Sequence, residues 1–354
     1  MPILNKNKDQ NVQRFLLKWY EKNKRELPWR NIKPNNQANA YYVLVSEFML
    51  QQTTVNSVIK RFNEFIKLWP SIDKFSRVSE NRILRFWSGL GYYNRAKNLL
   101  KTSKIISNDF ESKVPQNYDD LIELPGVGDY TAKAILGIAY NQPVLPLDAN
   151  IKRIIARLYG IKTLLRLNKQ IIEDIASKYQ SPNKASDLIQ SFMDYGSIIC
   201  LPRNPKCNEC IIEKYCEARK KNIQHLIPFK SSSLEKKKIK FTRAYIIVNN
   251  RNEILVNRRK SIGMLASMLE VPNDQWVNKK NLLKRNTIYE KIGNKFKYKG
   301  TFTYSFSHFD LDISIYKAVV KKKIFKDHKW IKKNRINFSA MPSVMKQIVK
   351  RDVN

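Results

Sequence analysis

Four cysteines fall within seventeen positions of a 354-residue chain, and no others occur: Cys200, Cys207, Cys210 and Cys216. Six, two and five residues separate them. Thiolates are soft ligands suited to an iron–sulfur cluster or to zinc, and the spacing alone leaves both open. Clustered thiols in a basic chain do not suggest a disulfide framework; four unrelated buried thiols is the plainer alternative. Pro202-Arg203 and Pro205-Lys206 make the intervening loop stiff and basic, a shape suited to pressing on phosphates.

Two carboxylates stand out elsewhere. Glu47 lies in Val45-Ser46-Glu47-Phe48-Met49-Leu50-Gln51-Gln52, a largely apolar helical stretch. A buried carboxylate is costly unless paired or neutral, and burial moves its pKa toward what a general acid needs near neutral pH. The alternative is a Glu on a solvated helix face. Asp148, in Pro146-Leu147-Asp148-Ala149-Asn150, opens a helix where Asp is a favoured N-cap. The same group can stabilise a sugar cation. In glycoside hydrolysis one acid protonates the leaving group while a second carboxylate supports the oxocarbenium-like state. Capping and catalysis are compatible.

Leu124-Pro125-Gly126-Val127-Gly128 divides two helical stretches. Gly126 and Gly128 let the backbone turn sharply, and the helix from Asp129 presents free N–H groups, a geometry that binds phosphate without reading sequence. Alone, a Gly-x-Gly turn is more often just a turn; Tyr130-Thr131-Ala132 after it strengthens the signal.

The elements that position these groups are mostly helical. Apolar spacing predicts helices over 11–23, 39–54, 55–68, 81–88, 93–108, 119–123, 129–140, 149–159, 169–178 and 185–199. Ser231-Ser232-Ser233 and Lys236-Lys237-Lys238 predict an exposed linker. Beyond it, 244–248 and 253–256 flank a polar 249–252 turn as a hairpin, and 301–306 and 311–320 are further strands. Hydrophobic residues make up 43 % of the chain, enough for real cores. Lys and Arg number 66 against 30 Asp and Glu, a net charge of +36. This suits a polyanionic partner, but Lys, Asn and Ile abound throughout, as an AT-rich genome would encode, so charge supports nucleic-acid binding only weakly. No stretch approaches the roughly 20 apolar residues of a membrane span, and residues 1–10 lack a secretory apolar region. The expectation is a soluble, cytoplasmic monomer, associated with the nucleoid through DNA.

Taken in order, these motifs resemble the adenine DNA glycosylase (MutY) family of the helix-hairpin-helix glycosylases. The resemblance runs from about Leu27 to Phe309 and rests on Leu27-Pro28-Trp29-Arg30, Ser46 to Thr53, Gly89-Leu90-Gly91-Tyr92-Tyr93, Leu124 to Gly128 and the cysteine loop. It implies a [4Fe–4S] cluster on the four cysteines. It makes Glu47 the acid that protonates adenine N7 and Asp148 the carboxylate that stabilises the sugar cation. Asn150 supports the site and Tyr130 lies beside the deoxyribose. Gln52 and Tyr92 match side chains that wedge into the helix where the pair opens, and Trp29, Arg30, Leu50 and Gln190 line the adenine pocket. Endonuclease III-like relatives carry a lysine where Tyr130 stands, which attacks the sugar and cleaves the strand; tyrosine cannot form that Schiff base. Lys133, almost a turn further, leaves weak lyase activity open.

The C-terminal third resembles the family's Nudix-like domain, which recognises 8-oxoguanine opposite the adenine. Gly263 to Pro272 matches its core segment, with Ser267 where the family usually has Gly. Phe306-Ser307-His308 matches the oxidised-guanine loop, with Ser307 a candidate donor. His308 is equally well a packed structural residue. Glu290 to Gly293 is a fragment of a hydrolase box at best.

The expected architecture is multidomain. An all-α helix-hairpin-helix glycosylase body has two lobes: a six-helix domain over 31–140, and a cluster domain from 1–30 and 141–221. A linker over 222–240 leads to a C-terminal α+β Nudix-like domain over 241–354. The expected function is monofunctional hydrolysis of the N-glycosidic bond of adenine mispaired with 8-oxoguanine or guanine in double-stranded DNA. The rivals are a bifunctional glycosylase/lyase, a non-catalytic DNA-binding scaffold and a zinc-bound adaptor.

Overall fold

A computed structural model describes residues 6–30, 39–162, 168–229, 237–260, 263–321, 325, 327–338 and 341–351. Ser231 to Lys236, the centre of the expected linker, lie outside the described residues. The chain separates into two compact units, Met1–Arg77 with Asn98–Ser233, and Val78–Lys97 with Leu234–Asn354. The segment 78–97, expected within the helical body, thus groups with the C-terminal residues.

The helices of the first three-fifths are α1 (Lys6–Asn23), α2 (Ala40–Leu50), α3 (Val55–Leu68), α4 (Ile72–Ser76), α5 (Glu80–Phe86), α6 (Asn94–Asp109), α7 (Tyr118–Ile122), α8 (Asp129–Tyr140), α9 (Ala149–Tyr159), α10 (Lys169–Ala176), α11 (Ala185–Ile198) and α12 (Glu217–Lys220). In α1, Val12, Leu16 and Tyr20 recur every four residues and form one buried stripe. α2 is apolar all round, and Val43 through Met49 are buried without a break; such a helix belongs inside a core. Asn39 starts it, its side chain accepting from the N–H groups of Tyr41 and Tyr42. α2 packs on α3 and α8, and α11 packs on α1, α8 and α9. These two helices form the frame of the first unit.

The second unit holds β1 (Lys238–Asn249), β2 (Glu253–Arg258), β3 (Leu269–Glu270), α13 (Thr287–Ile292), β4 (Lys297–Ser305), β5 (Phe309–Val320), β6 (His328–Lys332) and α14 (Ser343–Lys350). The strand order is β3-β2-β1-β5-β4, with β6 also paired to β2. β1 and β2 form the expected hairpin around Asn249 to Asn252. β1 also runs parallel to β5 over its whole length, from Lys238↔Phe309 to Asn249↔Val320. Its alternate residues face opposite layers. Ala244, Ile246 and Val248 meet Val344, Met345 and Ile348 of α14, while Tyr245 and Ile247 meet Ile288 of α13. β1 starts inside the stretch expected as linker, at Lys238, because its first residues already pair with β5. No helix among the described residues is long and apolar enough to cross a membrane.

One buried carboxylate ties the β1 side of this sheet to the chain before α13. Asp274, fully buried, accepts from Arg243, from the Tyr245 hydroxyl at 2.8 Å and from the Asn286 N–H at 2.8 Å. Asp274→Ala leaves the Arg243 cation without its partner and is expected to destabilise the unit by about 3–5 kcal/mol. Chemical denaturation monitored in the far-UV tests this, and an unchanged midpoint refutes it.

Candidate active site

α2, the first turn of α8 and the start of α9 bring three of the expected residues together. Glu47 lies in the buried run of α2 and is 6 % exposed. Burial pushes its pKa up to about 7; the Tyr130 hydroxyl, which donates to it, pulls the other way, and the charge of Asp148 raises it further. Tyr130 enters from α8, its own pKa raised well above the usual value by burial and by both carboxylates. Asp148 is the N-cap of α9, accepting from the Ile151 N–H at 2.6 Å and the Asn150 side-chain amide at 3.0 Å. Burial raises its pKa, and these hydrogen bonds oppose the rise. Asp148 is thus the N-cap that its sequence position predicts.

Asn150 is held in turn. Arg153 donates to its Oδ1 at 2.8 Å and to the carbonyls of Gly196 at 2.6 Å and Cys200 at 2.8 Å. A Cβ on Gly196 would stand 2.6 Å from Asn150 Cβ and 3.3 Å from its Cα, so only glycine lets α11 approach this closely. Sequence reasoning missed Arg153, two of whose partners, Gly196 and Cys200, lie more than 40 residues away.

Trp29 is buried in the short 3₁₀ turn Pro28–Arg30, edge-on to Phe62. This turn packs against α2 and α3. Arg30 places both terminal nitrogens on Asp194, at 2.7 and 2.8 Å, and Arg25 adds its Nε at 2.6 Å and its backbone N–H at 3.0 Å. Asp194 is fully buried, and these partners hold its pKa below the usual range despite that burial. It sits one helical turn after Gln190, itself buried, so one face of α11 carries both. Sequence reasoning did not find Asp194; a buried carboxylate among apolar neighbours, as at Glu47, was the available signal. Leu50 ends α2 half-buried, and Gln52 follows it exposed, with φ 55°.

In the turn before α8, Gly126 has φ +83°, and a Cβ there would lie 2.8 Å from Asn98 and 3.0 Å from the Phe48 ring. Gly128 has an ordinary φ of −108° and caps α8 without strain. Lys133 Nζ is engaged by Asp129 at 2.7 Å.

The four cysteines line one cavity of about 30 Å³ with Arg157 and Gln224. Arg157 is buried. It donates to Cys200 Sγ at 3.3 Å and to the carbonyls of Leu201, Pro202 and Ile227 at 2.7, 3.2 and 2.9 Å, fastening both ends of the loop. Burial raises the thiol pKa values of Cys207, Cys210 and Cys216, that of Cys210 to about 11. Among the described residues no three His, Cys, Asp or Glu converge as ligands of one metal ion; the cysteines instead ring a small void. Gln224 Oε1, at the same cavity, is buried with no hydrogen-bond partner. Arg203 and Lys206 are exposed on this loop, Lys206 lying 3.6 Å from Glu209.

Two family models match the chain: "HhH-GPD superfamily base excision DNA repair protein" over residues 45–182, and "NUDIX domain" over 243–351. An adenine DNA glycosylase of Buchnera aphidicola subsp. Baizongia pistaciae is 34 % identical over 94 % of each chain. The chain belongs to the adenine DNA glycosylase family. A second such relative, from Buchnera aphidicola subsp. Schizaphis graminum, is 36 % identical over 84 % of this chain and 85 % of its own. The solved structure of a thermostable thymine-DNA glycosylase superposes with TM-score 0.55 at 27 % identity, over 61 % of this chain and 98 % of its own. The enzyme is thus a base-excision-repair glycosylase that acts on adenine in DNA.

In the glycosylase's second unit, Phe306, Ser307 and His308 form the tip between β4 and β5. Ser307 and His308 are exposed and Phe306 is half-buried. Tyr92, with φ 48°, belongs to the same unit and its hydroxyl hydrogen-bonds Ser307 Oγ. The departure at Ser267 has a structural counterpart: its φ is +61°, a region that favours glycine, and its hydroxyl accepts from Lys97 at 3.0 Å.

Gly196→Ala forces α11 and Asn150 apart. It is expected to cost about 1–3 kcal/mol of stability and to lower the excision rate by about a hundredfold through displacement of Asn150 beside Asp148. Thermal denaturation and single-turnover excision check the two parts; an undiminished rate overturns the claim.

Proposed function

We propose that the enzyme hydrolyses the N-glycosidic bond of adenine mispaired with 8-oxoguanine or guanine in duplex DNA, without cutting the strand. The observation that carries this reading is a buried carboxylic acid, Glu47, whose pKa sits at about 7 beside a second carboxylate, Asp148. Glu47 gives its proton to N7 of the extruded adenine. The C1′–N9 bond breaks, its electron pair leaving with the base. Asp148 stabilises the cation at C1′, through a transient covalent bond or by charge alone, until water adds there. Tyr130 holds Glu47, and Asn150, fixed by Arg153, holds Asp148. Trp29, Arg30, Leu50 and Gln190 form the adenine pocket, and Gln52 and Tyr92 fill the space the base leaves. The turn at Gly126 and Gly128 holds the backbone phosphates, and the tip at Phe306, Ser307 and His308 meets the opposite base. Monofunctionality is supported by a tyrosine at 130 and by the capture of the Lys133 amine by Asp129.

The cysteine cavity fits a [4Fe–4S] cluster held by Cys200, Cys207, Cys210 and Cys216. Four sulfurs ring one void and the Arg157 cation faces them. Bound, the cluster supplies structure and charge. The loop then holds Arg203 and Lys206 for phosphate contact. As-purified protein is expected to be brown with about four irons per chain, and Cys210→Ser to lose most of that iron; a colourless, zinc-loaded protein refutes the assignment.

The general acid must be protonated, so activity is present below its pKa and lost above it. Single-turnover excision is expected to fall about tenfold per pH unit above roughly pH 7. It also falls on the acid side as Asp148 protonates, the apparent values belonging to the pair. Glu47→Gln removes the alkaline limb and slows excision by about 10²–10⁴-fold, and Asp148→Asn abolishes it. Strand breaks should appear only after alkali. Breaks without alkali would move the assignment to a lyase.

A further inference from the structure

The tip between β4 and β5 ends in two exposed residues, Ser307 and His308, yet its first residue is fixed from several sides. Phe306 packs on Tyr304 with ring centres 4.8 Å apart, stacks on Phe309 at 4.9 Å and meets Trp276 at 5.6 Å. Its N–H donates to the Phe309 carbonyl at 2.9 Å, closing the hairpin. Its own carbonyl accepts from Lys237 Nζ at 3.0 Å, and the same amine lies 3.7 Å from Asp310.

Trp276 comes from outside the hairpin and is itself held. Its indole N–H donates to Asn273 Oδ1 at 3.1 Å, Asn273 donates to Glu270 at 2.8 Å, and the Arg259 guanidinium lies 5.0 Å over the indole ring. Arg259 is ion-paired to the same Glu270. The crossing segment is laid against β1 by the bridges Ala244↔Asn273 and Phe241↔Val277. A chain of fixed side chains thus runs from Glu270 through Asn273 and Trp276 to Phe306. Lys237, where the described chain resumes after the linker, closes it from the other side.

We infer that Trp276 and Lys237 are positioning residues that set the tip at Phe306, Ser307 and His308 and so determine how strongly the enzyme prefers one base opposite adenine over another. The inference rests on the proposal that this tip meets that base. A tip already ordered loses less freedom on contact, and freeing it costs the complex that holds the contact without touching the one that lacks it.

The test uses the full chain in single-turnover excision of adenine opposite 8-oxoguanine and opposite guanine, reading the ratio of the two rates. Trp276→Leu and Lys237→Met are each expected to lower that ratio by about two- to tenfold, and Lys237→Arg to keep it. Lys237 is exposed and its substitution leaves the core untouched, so it serves if Trp276→Leu unfolds. A merely structural role lowers both rates together and leaves the ratio unchanged, which overturns the inference. Ser307→Ala separates the two levels. If it lowers the ratio while Lys237→Met and Trp276→Leu do not, the tip meets the base but is not set by these residues. If Ser307→Ala also leaves the ratio unchanged, the reading of the tip falls and the inference with it.

Discussion

Burying a carboxyl group in an apolar helix is the constraint on which the first unit turns. Water stabilises an ionised carboxylate far better than a protein interior does, so Glu47 in the middle of α2 favours its protonated form until near neutral pH. Enclosure is the largest cause of this, and it needs α2 apolar on most sides and covered by α3 and α8. A residue proposed to hold a proton and then release it also needs one partner that tolerates both states. A hydroxyl does so, because it can donate to the carboxylate or accept from the acid; Tyr130 supplies it from α8.

The second carboxylate meets the same burial with more hydrogen-bond donors. Asp148 sits at a helix start, where the Ile151 N–H and the Asn150 amide favour its charged form against the burial that disfavours it. Burial raises the pKa of both acids, but the hydrogen bonds at the helix start offset part of that rise at Asp148. α11 stabilises both sides of this arrangement. Its Asp194 fixes the turn that carries Trp29, its Gln190 lies one turn away on the same face, and its Gly196 leaves room for Asn150.

Much of this was legible in sequence because it is local. Periodicity gave ten of the twelve helices α1–α12 to within five residues, missing the short α4 and α12, and the 249–252 turn gave the β1–β2 hairpin. Glu47 was visible as a carboxylate among apolar residues, and Asp148 as a cap. What stayed hidden depends on pairing between distant residues. The parallel match of β1 to β5 joins residues about seventy apart, and no local signal carries it. Arg157 is a buried ion whose partners come from other segments, and Arg153 reaches Gly196 and Cys200 from α9, so both look in sequence like any surface charge. α13 and α14 are short, of six and eight residues, and owe their stability to the sheet rather than to their own propensity.

Backbone strain adds an independent line of argument. A left-handed φ costs a non-glycine residue about 1–2 kcal/mol, and such positions persist only where the surroundings dictate them. Several here are asparagines, which tolerate the conformation, and Glu111, Ser112 and Asp327 lie in turns. Gln52, Tyr92, Leu265 and Ser267 are left. None is a turn-forming choice at that φ. Gln52 and Tyr92 are the two proposed wedges, and Leu265 and Ser267 belong to the segment that leads to Glu270 and Trp276. A flexible side chain on relaxed backbone would be easier to fold. Holding it on a fixed, strained backbone instead makes its direction part of the fold, which is what a side chain needs if it is to enter a base stack at one place and not another.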